Sequence, residues 1–322
     1  MKRMTNLIAA AVISISLLPG RAFAAELLVP VGKVVGLELQ DDCVTVADFD
    51  EHLGATAREA GLKIGDEIQK IDDISVDSVQ DVRTALDRSD GDIELLISRN
   101  GKQHRLTLVP QATAQGPRLG ICLRQGIAGI GTVTYYDPQS GSFGALGHGV
   151  NRPDGEPVFM TEGKAYYAAV EAVRKGKSGA PGQLMGTVTD TKAFANLDRN
   201  MPQGVFGKAK GAFTGEPLPV AAISEIQTGP AAIRSTTQNG TIREYSVEIL
   251  KVYPGSGADG RNMLLQVTDP ELLSTTGGIV QGMSGSPIIQ DGKLVGAVTH
   301  VLVNDPTRGY GIFIENMLEA AS

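Results

Sequence analysis

The sequence predicts a mainly β protein made of two parts, a small unit that mixes strands with helices and a larger region built from short strands. Hydrophobic residues make up 42% of the chain and charged residues 20%, which is an ordinary globular balance. The 40 glycines and the absence of tryptophan favour many turns and close backbone contacts. Short apolar runs between Gly-rich turns recur from residue 118 onwards, a pattern typical of β-barrels and sandwiches.

Residues 1–24 have the pattern of an export signal. Lys2 and Arg3 precede an apolar run from Leu7 to Leu18, and the small-residue pattern Ala22-Phe23-Ala24 follows. The apolar run is shorter than the about 20 residues that a membrane-spanning helix needs. We therefore predict export across the cytoplasmic membrane with cleavage after Ala24, and the alternative is a retained signal that acts as a temporary anchor.

The charge and the cysteines exclude several classes of function. The net charge is −7 and becomes −10 once the three cations of residues 1–24 are removed, so nucleic acid is not an expected partner. Cys43 and Cys122 fall in different predicted domains, and we expect two small buried hydrophobic residues rather than a disulfide. No Cys/His cluster has the spacing of metal ligands, so neither a metal nor an organic cofactor is expected.

Residues 28–110 are predicted to form the α+β unit. Gly61 follows the first helical stretch at the position of a C-cap, and Asn100-Gly101 is a strong hairpin signal. The apolar residues of the second helical stretch recur on one face. The predicted elements are a strand at 42–47, a helix at 55–60, a strand at 67–71, a helix at 79–86 and a hairpin of strands at 92–98 and 103–109.

The run from Ala55 to Asp73 resembles the PDZ modules of bacterial exported proteases of the high-temperature-requirement class, and the resemblance extends to Pro110. It implies that an extended peptide adds as a strand to a sheet edge, while the amides of a loop hold its terminal carboxylate. An alternative interpretation is that this loop contains only a turn ended by a glycine. By resemblance the loop is expected near Val34, Val35, Gly36 and Leu37.

Residues 111–117 have the small, polar, proline-bounded composition of a linker, and the second domain is predicted at 118–322. Its β character comes from short apolar segments between turns. A surface helix is expected at 164–175 and a terminal helix at 315–321. The predicted strands are 129–136, 143–150, 186–189, 205–210, 246–253, 263–267, 286–289, 294–303 and 310–314.

The segment Gly282-Met-Ser-Gly-Ser-Pro287 carries the strongest chemical signal. Trypsin-like serine peptidases have their nucleophile in this Gly-x-Ser-Gly-x-Pro setting, which makes Ser284 the candidate. Its glycines would let the N–H groups of Gly282 and Ser284 point to one place as an oxyanion hole. Ser286 is the rival nucleophile, and we interpret it as a structural or pocket-facing hydroxyl.

A nucleophilic serine needs a base, and the chain has four histidines. His52 and His104 lie in the α+β unit, where solvent-facing imidazoles are expected. His300 lies on the presumed pocket strand and is expected to line the pocket or to pack. His148 ends a strand among glycines and precedes Ser284, as in the two-barrel peptidases, so it is the predicted base.

These segments together resemble one family, the sporulation stage IV protein B peptidases, a branch of the trypsin-like clan. The resemblance covers nearly the whole chain and implies a trypsin-like double β-barrel after the PDZ domain. It also implies Asp269 as the third member of the triad. Trypsin-like spacing would instead favour Asp190, and a turn or cap role is possible for either. The segments are Gly147-His148-Gly149, Gly204-Val-Phe-Gly207, Asp269, Thr276–Pro287 and 296–305.

The predicted function is that of an exported serine endopeptidase whose PDZ domain regulates it. The family resemblance implies a sporulation signalling protease that cleaves itself and then triggers the processing of a sigma factor. Its partners would be peptide or protein substrates, its own cleaved terminus or a membrane-embedded regulatory complex. Two alternatives are a non-catalytic PDZ scaffold and a general envelope quality-control protease.

Overall fold

The computed structural model describes residues 26–152, 155–209, 211, 213–238, 240–255 and 260–322. Strands account for 54% and helices for 11%, which confirms the mainly β prediction. The predicted export signal, its cleavage point and the alternative anchor lie outside the described residues.

The elements before residue 119 match the predicted order of strands and helices closely. Gly61 does lie just after the first helix, with a φ of 93°. In chain order the elements are β1 (Leu27–Pro30), β2 (Val34–Phe49), α1 (Ala55–Glu59), β3 (Glu67–Ile71), β4 (Ile74–Ser75), α2 (Val79–Arg88), β5 (Ile93–Arg99), β6 (Lys102–Leu108), β7 (Gln111–Thr113) and β8 (Gly116–Arg118).

In the later part of the chain the regular elements are mainly strands, joined by loops, and the described residues also form two short α-helices and one turn of 3₁₀ helix at Ile223–Glu225. The elements are β9 (Ile121–Tyr136), β10 (Ser142–Ala145), β11 (Glu162–Arg174), β12 (Gln183–Val188), β13 (Ala195–Met201), β14 (Gly204–Ala209), β15 (Leu218–Pro219), β16 (Gly229–Gln238), β17 (Thr241–Val252), β18 (Met263–Val267), α3 (Pro270–Thr276), β19 (Pro287–Gln290), β20 (Lys293–Leu302), β21 (Asp305–Phe313) and α4 (Ile314–Ala321).

Two rings of strands form the body of the molecule. In the first barrel, antiparallel pairings run β9-β10-β14-β13-β11-β2 and return from β2 to β9. Its interior holds a buried cluster that includes Val35, Val133, Phe143 and Leu197. The second barrel closes in the order β16-β17-β18-β21-β20-β19 around a separate core that includes Ile249 and Val298.

The long strands β2 and β9 also reach beyond the first barrel. Leu39 pairs with Ile127 inside the barrel, and after a register shift Val44 pairs with Gln125 outside it. Gly126 occupies the bend with a φ of 76°. A Cβ atom there would stand 2.0 Å from the carbonyl oxygen of Leu39, so the bend requires glycine.

The outer halves of these strands enclose an inserted unit, residues 41–124, with its own core. Val44, Ile68, Val82 and Leu95 are buried in it together. β3 pairs with the outer half of β2 and with β5, while β6 completes the sheet. The unit thus begins and ends on two neighbouring strands of the first barrel.

This arrangement corrects the predicted domain boundaries. Residues 28–40 were assigned to the α+β unit, but β1 and the inner half of β2 pair with the first barrel. The predicted linker, 111–117, forms most of a small hairpin of β7 and β8. The unit is therefore inserted into a barrel and does not precede it, because the barrel needs strands from both sides of it in the sequence.

Two local predictions were wrong and one was confirmed. Residues 164–175 form most of β11 and not a helix, since pairing with β2, β12 and β13 determines their conformation despite their alanines. Neither cysteine is buried, because Cys43 is half-buried and Cys122 exposed, and both are free thiols. The terminal helix is present as α4.

Within the described part of the chain, no helix is both long and apolar enough to cross a membrane.

Candidate active site

Ser284 lies in a tight loop, residues 282–286, between α3 and β19, which we call the nucleophile loop. Gly282 and Gly285 have φ values of 96° and 94°, in the left-handed region that favours glycine. A Cβ atom on Gly285 would stand 2.0 Å from the oxygen of Thr132 and 2.5 Å from the nitrogen of Leu146. Glycine thus lets the second barrel bring its nucleophile against the first barrel.

Two threonines of β9 hold this loop. The N–H of Thr132 donates to the carbonyl of Ser284 at 3.0 Å, and its hydroxyl donates to the carbonyl of Gly282 at 2.8 Å. The hydroxyl of Thr134 donates to the carbonyl of Gly285 at 2.8 Å. Three carbonyl groups of the nucleophile loop are therefore fixed by one strand of the other barrel.

The amide groups of the loop divide into two sets. The N–H groups of Met283, Gly285 and Ser286 each donate to a backbone carbonyl. Those of Gly282 and Ser284 donate to no group within the described residues. Two uncommitted amides in the loop that carries the hydroxyl are what an oxyanion hole requires, because such donors must be free to bind the developing charge.

The two serines of the loop differ in access. Ser284 is half-buried, and its hydroxyl donates to the carbonyl of Thr299 at 2.8 Å. Thr299 is itself fixed, since its hydroxyl donates to the carbonyls of Gly260 and Tyr310. The rival Ser286 is fully buried, and its hydroxyl has no partner within the described residues. A substrate could reach Ser284 but not Ser286.

His148 is half-buried just beyond the end of β10. Its Nδ1 lies 2.8 Å from the carbonyl oxygen of Gly149. A carbonyl can only accept, so Nδ1 carries the proton and Nε2 keeps a lone pair, the form that a general base requires. Burial lowers the pKa of His148 below its usual 6.5, which keeps the imidazole neutral at pH 7. The ring lies 5.4 Å from that of His300, between centroids.

The segments that carry the base and the nucleophile meet on shared neighbours. The N–H of Leu146 donates to the carbonyl of Thr132, the residue whose own N–H holds Ser284. A Cβ atom on Gly147 would stand 2.9 Å from the side chain of Thr299, whose carbonyl accepts the Ser284 hydroxyl. The fold thus brings His148 and Ser284, from different barrels, to one place.

Neither candidate for the acid reaches His148 in the structure. Asp269 begins α3, and its two carboxylate oxygens accept from the N–H groups of Leu272 at 2.9 Å and Ser246 at 3.3 Å. Asp190 is exposed and accepts from the N–H of Lys192 at 2.9 Å. Both thus have the turn or cap role that the sequence left open, and a catalytic role for either stays a prediction.

One residue near the base was missed from the sequence. Asn200, on β13, accepts from the N–H of Val150 at 2.8 Å and donates to the carbonyls of Val150 at 2.8 Å and Val158 at 2.9 Å. It thereby fixes the chain two residues after His148. No local pattern signals this, because the partners lie about fifty residues apart.

The predicted carboxylate-binding loop is contradicted by the structure. Val34, Val35, Gly36 and Leu37 lie in the inner half of β2, paired with β9 and, from Val35 onwards, also with β11. Their amides thus belong to the barrel's ladders and not to a loop open to a ligand. The exposed side chains of His52 and His104 are in the inserted unit, as expected.

The family model described as SpoIVB peptidase S55 matches residues 115–318, which include both His148 and Ser284. No curated protein matches the chain. Among solved structures, the active form of the Rv3671c protease from M. tuberculosis is 16% identical with a TM-score of 0.37, over 60% of this chain and 72% of that one. The HtrA-type protease AlgW with a decapeptide is 13% identical with a TM-score of 0.37, over 65% and 57%.

Proposed function

The chain belongs to the SpoIVB peptidase S55 family and is a serine endopeptidase, and from that premise we propose that Ser284 is its nucleophile and His148 its general base. The observation that carries this assignment is the nucleophile loop itself. It combines a reachable hydroxyl with two uncommitted amides, and a strand of the other barrel fixes it beside His148.

The reaction follows from these groups. Ser284 Oγ leaves the carbonyl of Thr299, transfers its proton to Nε2 of His148 and attacks the peptide carbonyl carbon. The amides of Gly282 and Ser284 bind the oxyanion. The protonated His148 then gives its proton to the departing amine as the C–N bond breaks. The neutral imidazole of His148 then takes a proton from a water molecule, whose oxygen attacks the acyl carbon. As the bond between that carbon and Ser284 Oγ breaks, His148 gives the proton to Ser284 Oγ.

An extended substrate has a free strand edge beside this site. β19 pairs with β20 only as far as Ala297, and Val298 and Thr299 are engaged by the nucleophile loop. No described strand pairs with that side of Val301 and Leu302. We propose that the residues before the cleaved bond pair there, because strand addition aligns a peptide carbonyl with the loop.

A fluorophosphonate probe tests the assignment, since it reacts covalently with an activated serine. We expect the full chain to be labelled at Ser284 and Ser284→Ala to remain unlabelled, with any self-cleavage lost as well. Ser286→Ala is the matched control, because it removes the buried neighbouring hydroxyl, and it should label like the wild type. Labelling of Ser284→Ala, or no labelling of the wild type, would reject the proposal.

We propose in addition that the inserted unit is a PDZ module with its peptide groove between α2 and the outer half of β9. The side of residues 121–125 that does not face β2 pairs with no described strand. The N–H groups of Leu119 and Gly120, just before that edge, donate to no described residue. Free amides beside a free edge suit a peptide that ends in a carboxylate.

Fluorescence anisotropy with paired peptides tests the groove. A labelled peptide with a free carboxyl terminus should bind to Ser284→Ala, and its amidated copy should bind at least about tenfold more weakly, since the amides lose a charged acceptor. Equal binding of the two peptides would mean that the groove does not recognise the terminal carboxylate. No binding of either would favour a purely structural role for the unit.

The remaining biology is also proposed. We infer that the protein is exported, cleaves itself and acts as a signalling protease that triggers sigma-factor processing in sporulation, which is the role that the resemblance to the sporulation stage IV protein B peptidases implies. Broad hydrolysis of casein would instead favour a quality-control protease. A chain that is not labelled at Ser284 but still binds peptides would favour a scaffold.

A further inference from the structure

Each of the two oxyanion donors belongs to a peptide group whose carbonyl points the other way. In a trans peptide the C=O and N–H are antiparallel, so the contact that fixes the carbonyl also fixes the direction of the amide. The amide of Gly282 shares its peptide group with the carbonyl of Gln281. The amide of Ser284 shares its own with the carbonyl of Met283. The partners of these two carbonyls therefore determine where the donors point.

The two carbonyls are held by different parts of the molecule. The Met283 carbonyl accepts from the N–H of Ser286 at 2.9 Å, a bond inside the nucleophile loop. The Gln281 carbonyl accepts from the N–H of Leu184 at 2.8 Å. Leu184 lies on β12, which pairs with β11 of the first barrel. The loop thus fixes one donor itself, while the other donor depends on the first barrel.

Gln281 pairs with a part of the first barrel that reaches across to the second. The connection between β11 and β12, together with the first two residues of β12, spans residues 175–184, and we call it the hairpin tip. The N–H of Gln281 donates to the carbonyl of Gly182 at 3.0 Å, and its carbonyl accepts from Leu184. Both backbone groups of Gln281 are therefore held by the hairpin tip, as in one rung of a parallel sheet.

Further hydrogen bonds fix the hairpin tip on the second barrel. The N–H of Gly176 donates to the carbonyl of Thr276, the last residue of α3, at 2.8 Å. The N–H of Gly179 donates to the carbonyl of Val303, just after β20, at 2.9 Å. The position of the hairpin tip is thus set by several contacts and not by Gln281 alone.

The glycine at position 282 makes an external contact necessary. Rotation of the peptide group between Gln281 and Gly282 would turn its amide away from a substrate and would change the φ of Gly282, which is 96°. Glycine accepts positive and negative φ almost equally, so Gly282 does not itself prevent this rotation. The hydrogen bond from Leu184 opposes it. The fully buried leucine also packs there, since a Cβ atom on Gly282 would stand 3.1 Å from the Cβ of Leu184.

We propose that Leu184 is a positioning residue whose N–H holds the peptide group of Gln281 and Gly282, so that the Gly282 amide points into the oxyanion hole. The inference rests on the proposed roles of Ser284 and Gly282. Without this contact the nucleophile and His148 stay in place, but one oxyanion donor is lost in every molecule whose peptide group has rotated. The hairpin tip of the first barrel thus completes a catalytic loop of the second.

The first test is Leu184→leucic acid, made in the full-length chain by nonsense suppression. Leucic acid is the α-hydroxy analogue of leucine, so it keeps the side chain and replaces the N–H by an ester oxygen that cannot donate. This oxygen also repels the Gln281 carbonyl. We expect fluorophosphonate labelling of Ser284 at least about tenfold slower per folded molecule, with the about 10²–10³-fold cost of one lost oxyanion donor as the limit.

Two controls separate this effect from a general loss of structure. The same replacement at Leu95 changes a buried leucine that pairs with strands on both sides in the inserted unit. It should lower the melting temperature and leave the labelling rate per folded molecule unchanged. The second control is the pH profile from about pH 5 to about pH 9, which Leu184→leucic acid should lower by one factor throughout, because the base is untouched.

Gly182→Ala tests the same contact with an ordinary substitution. A Cβ atom there would stand 2.5 Å from the nitrogen of Gly176 and 2.6 Å from the side chain of Val280, so it separates the hairpin tip from Gln281. We expect labelling about 10²-fold slower, the scale of an ångström of misplacement. Gly179→Ala is the matched control, because its Cβ would meet nothing within 4 Å and its N–H remains. It should label at the wild-type rate per folded molecule.

The outcomes separate the inference from the function on which it rests. A Leu184→leucic acid variant that labels like the wild type would overturn the inference and leave Ser284 as the nucleophile. A slower variant whose pH profile is also displaced would overturn it too, since the base would then have moved. If this variant does not fold, equal rates of Gly182→Ala and Gly179→Ala would overturn the inference instead. A wild type that does not label at Ser284 would overturn the proposed function as well.

Discussion

The two halves of the active site are held in different ways. The shape of the nucleophile loop is determined by its five consecutive residues, whose glycines allow the turn and the approach to Thr132. The segment around His148 has glycines as well, but its orientation comes from Asn200, about fifty residues later. One half is thus local in sequence, and the other depends on strands brought together by the first barrel.

This difference explains why serine peptidases are recognised by their nucleophile loop. Backbone conformation at positive φ restricts which residues can stand there, so the constraint is visible in the sequence. A hydrogen bond to a backbone carbonyl restricts only the residue that donates it. The segment that follows the base can therefore be held by a side chain that carries no motif of its own.

The largest effect is expected from adding one methyl group to the nucleophile loop. In Gly285→Ala the new Cβ would overlap the Thr132 carbonyl, so we expect labelling of Ser284 to fall by more than about 10²-fold, the scale of a displaced nucleophile. Gly292→Ala is the control, because Gly292 has a φ of 73° with nothing within 4 Å, and it should cost only about 1–2 kcal/mol of stability. Equal effects of the two would mean that contact with the first barrel is irrelevant.

A smaller effect is expected from removing a hydrogen bond between β9 of the first barrel and the nucleophile loop. Thr132→Val removes the hydrogen bond to the Gly282 carbonyl and keeps the backbone bond to Ser284. We expect a loss of about 1–3 kcal/mol in unfolding free energy, because a part-buried carbonyl loses its donor, and about tenfold slower labelling. Thr134→Val makes the same change at the Gly285 carbonyl and should affect stability more than rate. If Thr134→Val slowed labelling more than Thr132→Val does, the groups that bind the oxyanion would not be the amides of Gly282 and Ser284.

The smallest effect concerns the charge of the base. The folded-state pKa of His148 is lowered by burial, so the unfolded chain binds its proton more readily. The stability linked to the neutral ring is complete above pH 6.5 and is lost as pH falls towards the folded pKa. We expect the difference in unfolding free energy between wild type and His148→Gln to shift against the wild type below pH 6.5, as measured by urea denaturation. A shift in the other direction would indicate a charged partner.

Sequence reasoning succeeded where the constraint was local. The strand at 67–71 and the helix begun at Val79 follow from short-range periodicity, and both were found. The helix expected at 164–175 fails because the alanines of that segment lie between two paired strands, so tertiary contacts outweigh propensity.

The same limit applies to the site. Ser284, Gly282 and His148 could be chosen from motifs. The peptide loop could not be placed, because Val35 and Gly36 have strand partners on both sides that only the closed barrel supplies. Thr132 and Asn200 could not be found either, since their partners are distant in sequence, 150 residues away in the case of Thr132 and Gly282.

The insertion of residues 41–124 has a consequence for how the chain folds. The first barrel cannot close until β2 meets β9, and an unstructured chain of that length would make this encounter slow, as expected for pairings far apart in sequence. If the inserted unit folds first, its own core aligns the outer halves of both strands, and the inner halves need only extend the register already set. The unit then serves as a template for the barrel that surrounds the active site, and a substitution that unfolds the core of the unit alone would slow the closure of that barrel.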